Sequence, residues 1–190
     1  MAQVLERHNG TVIARPGTVR QPDEAIYMNR KKQLKTKTQK YQIDQSGKIE
    51  QTNKVTIIAF SNGKSGSVKL NARDKRYIQD IYRQAGKSKS FTLQVFSALL
   101  YLLFEKFRLE KTMVLIDKEY PGHEALIRSY LVQLAAKRGK IKLAPEELRF
   151  SLVGKGSNAH GVASKAFKTN KADYSVKKEE VLALILLYEH

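Results

Sequence analysis

The 190-residue sequence contains no cysteine, which excludes disulfides and every thiolate metal site. A reducing cytoplasm suits such a chain. It is also short of acid, with 18 Asp and Glu against 35 Lys and Arg and a formal charge of +17. An excess of that size says little about fold. It favours polyanionic partners, nucleic acid first and an anionic membrane surface as the competitor. Long apolar runs are scarce. The most apolar, Phe91–Phe104 (FTLQVFSALLYLLF), is shorter than the ~20 residues of a membrane span and reads as a buried helix, so no membrane association is expected. The opening MAQVLERHNG lacks an apolar core of signal-peptide type. Familiar catalytic signatures are missing as well. There is no G-x-S-x-G elbow, no Rossmann glycine set after a strand and no Walker spacing, and His123-Glu124 does not extend to H-E-x-x-H.

What is present divides the chain in two. Residues 1–38 carry Gly10, Pro16, Gly17 and Pro22 and run into the basic cluster RKKQLKTKTQK, residues 30–40. This reads as a flexible arm. Arg30, Lys31, Lys32, Lys35 and Lys37 are candidates to neutralise phosphates, which would make affinity steeply salt-dependent; a merely solvated tail explains the same run equally well.

Residues 39–190 read as one domain. Extended segments are expected at about 39–44, 54–61 and 65–70, joined by turn-rich links that favour an antiparallel meander. Helical spacing follows over 72–84 and 91–107, then a strand over 112–119, a helix over 123–139 and a strand over 148–153. A helix over 158–168, a loop over 169–175 and a helix over 176–189 complete the chain. A meander feeding alternating helices and strands predicts an α/β fold with a mixed five-stranded sheet, three strands antiparallel and the rest parallel, covered by helices.

Two acids stand at strand ends in this basic chain. Asp44 precedes the turn-like Gln45-Ser46-Gly47, and Asp117 closes the apolar run TMVLID, with Glu119 two residues on. If the two strands are parallel neighbours, both aspartates reach the same sheet end, about 4.8 Å apart. Carboxylates that close repel unless a cation lies between them, and hard oxygen donors suit Mg²⁺ or Mn²⁺. Asp44 as a plain turn former is the competing reading, since Asp side chains bond their own backbone in turns.

One Asp late in the first strand, followed by the small-residue turn I-D-Q-S-G at 43–47, and another closing the fourth strand resemble the ribonuclease H-like superfamily over roughly residues 39–168. The resemblance implies Asp44 as central metal ligand, Asp117 as its partner, and a carboxylate from the first helix, for which Asp80 is the main candidate beside Asp74 and Glu105. It also implies an acid on the helix after the fifth strand. Residues 154–172 contain none, and His160 stands nearest. Gly154-Lys155-Gly156-Ser157 before that helix offers backbone N–H groups and the Lys155 charge to a phosphate, or serves as a simple turn. The expectation is a nucleic-acid-acting protein, a divalent-metal nuclease with Asp44, Asp117, Glu119, Asp80 and His160 as site residues. The alternatives are a non-catalytic nucleic-acid-binding protein and an assembly component on the same fold.

Overall fold

The computed structural model describes residues 40–110 and 112–188. Arg30, Lys31, Lys32, Lys35 and Lys37 lie outside the described residues. The first three strands form a meander: β1 (Tyr41–Ser46), β2 (Thr56–Asn62) and β3 (Lys64–Leu70). Two helices, α1 (Ala72–Gln84) and α2 (Phe91–Phe107), lead to β4 (Val114–Asp117), α3 (Glu124–Arg138) and β5 (Leu148–Ser151). The chain then forms α4 (Asn158–Thr169), β6 (Tyr174–Val176) and α5 (Lys178–Ile185), followed by a 3₁₀ turn at Leu186–Tyr188.

The result is an α/β domain on one mixed six-stranded sheet, ordered β5-β4-β1-β2-β3-β6. Strand β2 is antiparallel to both neighbours, while β1–β4, β4–β5 and β3–β6 pair in parallel. The strand count corrects the expected five. In the sequence, residues 174–176 read as the end of a loop and the start of a helix, because three residues are too few to show strand alternation. They become a strand through tertiary pairing, Val68 with Tyr174 and Leu70 with Val176, and through Ser67 Oγ donating to Asp173 Oδ2 at 2.8 Å.

Alternation along the strands divides the sheet into two faces. Ile43, Ile58, Phe60, Val68 and Ile116 point into the main core, which is built around α2. That helix is apolar on all sides, buried almost continuously from Phe91 to Phe104, as a central helix must be. Helices α1, α3 and α5 contribute Ile78, Leu131 and Val181 to the same core. The opposite face carries Ile57 and Ala59, covered by Ala163 and Ala166 of α4 in a small separate cluster. Small side chains on both sides let α4 lie close to the sheet, and Ser157 caps its first turn by accepting from His160 N at 3.0 Å. Among the described residues no helix is long and apolar enough to cross a membrane.

Candidate metal centre

Strand β1 extends through Ser46, so Asp44 does not open a turn. It pairs with Ala59 of β2 inside the strand, and Gln45 and Ser46 continue the pairing against Ile58 and Ile57. The polar run looked like a strand end, but cross-strand pairing carries it on. Ala59 lies on the face covered by α4, so Asp44 points to that face as well, and it is 4% exposed. On its other side β1 pairs with β4 up to Ile43 and Ile116. Asp44 and Asp117 are the next residues along these two parallel strands, and both are carried to the same end of the sheet.

Asp117, Asp44 and Glu119 each bring one carboxylate oxygen to within 4.8 Å of the others. Asp117 is oriented from a third strand, for Val153 N, just past β5, donates to its Oδ1 at 2.7 Å. Glu119 follows β4 in a tight turn, its N–H donating to Asp117 O at 2.9 Å. From the opposite side His160, in the first turn of α4, places Nδ1 3.2 Å from Asp44 Oδ2.

Three acids held this closely repel one another. Burial raises the Asp44 pKa above its ordinary value, opposed by the His160 charge and hydrogen bond, and Asp117 adds to the rise. Glu119 is pushed from 4.5 up to about 7, by burial first and then by the charges of Asp117 and Asp44, while Lys48 pulls it down. Such a strained cluster of hard oxygen donors fits a divalent cation of the Mg²⁺ or Mn²⁺ type, whose charge would offset the repulsion. Asp44, Asp117 and Glu119 would hold it, with His160 as a neighbour through Asp44.

Other predicted residues lie elsewhere. Asp80 is not part of the centre: it stands on the exposed side of α1, its side chain 58% exposed, paired with Arg83 at 3.1 Å. Its helical spacing placed it one residue from Ile81, and one residue is about 100° of helix turn, enough to face solvent. Glu105 on α2 pairs with Lys140 at 2.9 Å. Lys155 is exposed in the loop before α4. Sequence reasoning missed Lys48, whose charge acts on Glu119, and Tyr120, which adjoins Glu119 and anchors its loop. An aromatic directly after an acid and before Pro121-Gly122 was the available signal.

Compared with protein-family models, with curated proteins and with solved structures, the chain matches none.

Proposed function

We propose that the protein is a divalent-metal-dependent nuclease, built on a ribonuclease H-like arrangement with β6 as an added edge strand. The observation that carries this reading is the convergence of Asp44, Asp117 and Glu119 within 4.8 Å at one end of adjacent parallel strands. The resemblance drawn from the sequence rests on the same two aspartates. A Mg²⁺ or Mn²⁺ ion held there would supply positive charge to a phosphodiester and activate water for attack. Asp44 and Asp117 would fix the ion's place from rigid strands, Glu119 would complete the oxygen set from a loop, and His160 would favour the ionised Asp44 against the burial that raises its pKa.

Nucleic acid is supported as substrate by charge and by shape. The net charge is +17, and the surface beside α4 bears an open groove of about 480 Å³ where Ser65, Lys165, Thr169 and Lys171 stand among apolar residues and one acid, Asp173. Ser67 of that groove pairs with Ala59, which pairs with Asp44, so groove and acids share one face of the sheet. Lysine amines and hydroxyls of this kind suit phosphate oxygens.

The test is cleavage of DNA and RNA, single- and double-stranded, with Mg²⁺ or Mn²⁺, comparing wild type with Asp44→Asn. Metal-dependent cleavage lost in the variant supports the reading. Equal activity in both, or none in either on any substrate, overturns it; retained nucleic-acid binding in the latter case would favour the non-catalytic alternative.

A further inference from the structure

Asp44 and Asp117 sit on strands, but Glu119 sits in the irregular segment between β4 and α3, which also contains Pro121 and Gly122. A ligand on a loop needs something to hold it in place. The residue after it does this. The Tyr120 ring packs edge-on against Phe96 of the central helix, centroids 5.1 Å apart. Its hydroxyl accepts from Ile49 N at 3.3 Å and from Gln45 Nε2 at 3.4 Å, and donates to Glu50 Oε2 at 3.3 Å. Three of these partners belong to β1 or to the β1–β2 loop that follows it.

That loop is itself tied down from below. Lys75 of α1 is fully buried, an uncommon place for a lysine. Its ammonium donates to Lys48 O at 2.9 Å, Gln51 O at 2.9 Å and Thr56 Oγ1 at 2.8 Å, satisfying all three of its protons. None of these acceptors is a residue of the metal centre. A buried lysine is costly to desolvate, and the loop carbonyls have other donors: Gln51 N to Lys48 O at 3.2 Å and Lys54 N to Gln51 O at 3.1 Å.

We infer that Lys75 and Tyr120 are positioning residues for the metal centre: Lys75 fixes the β1–β2 loop, the loop fixes the Tyr120 hydroxyl, and Tyr120 fixes Glu119. The inference rests on the metal-centre reading of the three acids. It gives the loop a role it otherwise lacks, linking α1 to a ligand that hangs on the sheet by a single turn hydrogen bond, Glu119 N to Asp117 O. It also sets Lys48, whose charge faces Glu119, on a backbone clamped at its own carbonyl.

The test uses the whole protein with Tyr120→Phe, which keeps the ring on Phe96 and removes only the hydroxyl, and with Lys75→Met. Two readouts are taken: Mn²⁺ affinity by titration calorimetry, and amide hydrogen exchange of the metal-free protein at Ile49 and Glu119. Tyr120→Phe should weaken Mn²⁺ binding roughly 10-fold, as loss of supporting hydrogen bonds does at metal sites, and speed exchange at both amides. Lys75→Met should do the same in smaller measure. Wild-type affinity in Tyr120→Phe, or faster exchange confined to Ile49, overturns the positioning role and leaves the two residues as props of the fold. If the wild-type protein takes up no Mn²⁺, the metal-centre reading fails, and unchanged exchange at Glu119 in Tyr120→Phe would then separately overturn the link from loop to acid.

Discussion

The Asp44 carboxylate and the His160 imidazole meet at 3.2 Å, Oδ2 to Nδ1, joining the interior of β1 to the first turn of α4. Asp44 is 4% exposed on its side chain and His160 35%, so the imidazole is the solvent-accessible member of the pair. Its charge and hydrogen bond favour the ionised carboxylate against the desolvation that raises the Asp44 pKa. His160→Ala removes that support, the pKa rises further, and protons compete harder with Mn²⁺. The expected outcome is a loss of Mn²⁺ affinity of roughly 10-fold, in the range of outer-shell partners of metal ligands. The deficit should be larger at an acidic than at a mildly alkaline pH, because the competing proton is lost as pH rises. Calorimetric titration at the two pH values checks this; an identical deficit at both would mean that His160 does not act through Asp44 ionisation.

Glu119 gives the metal-free protein a pH-dependent weakness. Its pKa stands at about 7 in the folded chain against an ordinary 4.5. Between those values the folded state holds a proton that the unfolded state has released, so stability falls as pH rises through the window and the loss is complete above it. Glu119→Gln should remove this slope and leave the metal-free variant more stable than wild type at pH ~8, by on the order of 2 kcal/mol. Thermal denaturation in the presence of a chelator measures it. Added Mn²⁺ should reverse the order, because it binds the folded wild type and raises its melting temperature. A variant no more stable than wild type without metal would mean that neither burial nor the neighbouring acids disfavours the ionised Glu119.

Much of the domain was legible before its structure, for identifiable reasons. The meander, the central helix and the apolar strand ending in Asp117 have strong periodicity and turn punctuation, and all appear in the fold. The pairing of Asp44 with Asp117 was also within reach, since both follow from strand order. The sixth strand was not, because β6 owes its existence to pairing with β3 rather than to its own pattern. Asp80 was misplaced because a helix one residue out of phase turns a side chain from core to solvent. Lys75 was illegible for the opposite reason. A lysine in RDKRY reads as surface, and only acceptors distant in sequence, the Lys48 and Gln51 carbonyls and the Thr56 hydroxyl, make its burial tolerable.

That lysine predicts a second pH effect, opposite in sign to that of Glu119. Burial pulls the Lys75 pKa down from 10.5 to about 8, with Glu50 opposing. Between those values the folded protein has released a proton that the unfolded chain still holds, so stability rises with pH through the window. Below it the protonated side chain carries a constant desolvation cost, offset by its three hydrogen bonds. In Lys75→Met this alkaline rise should vanish, which urea denaturation across pH ~7–10 would show as a flatter profile than that of wild type. The methionine cannot donate to the loop, and its net cost near neutral pH should be about 1–3 kcal/mol. Parallel profiles for the two proteins would show that Lys75 does not titrate in this range.

Gly47 is the position where the backbone beside the centre tolerates least. It has φ +78°, and a Cβ built on it would lie 2.2 Å from Val55 O and 2.6 Å from Phe167 Cε2. The ring can rotate away, but the carbonyl belongs to the β1–β2 loop that Lys75 clamps, so it cannot yield cheaply. Gly47→Ala therefore combines a positive-φ penalty with overpacking, together about 2–4 kcal/mol of lost stability. Phe167→Leu added to it should recover only the part due to the ring, leaving the clash with Val55 O in place. Because Gly47 joins the strand carrying Asp44 to the loop that holds Tyr120, Gly47→Ala should also weaken Mn²⁺ binding, whereas Phe167→Leu alone should lower stability and leave the affinity as in wild type. Melting temperatures and Mn²⁺ titrations of the three variants separate these contributions. Full recovery of stability in the double variant would place the strain on the ring and not on the clamped loop.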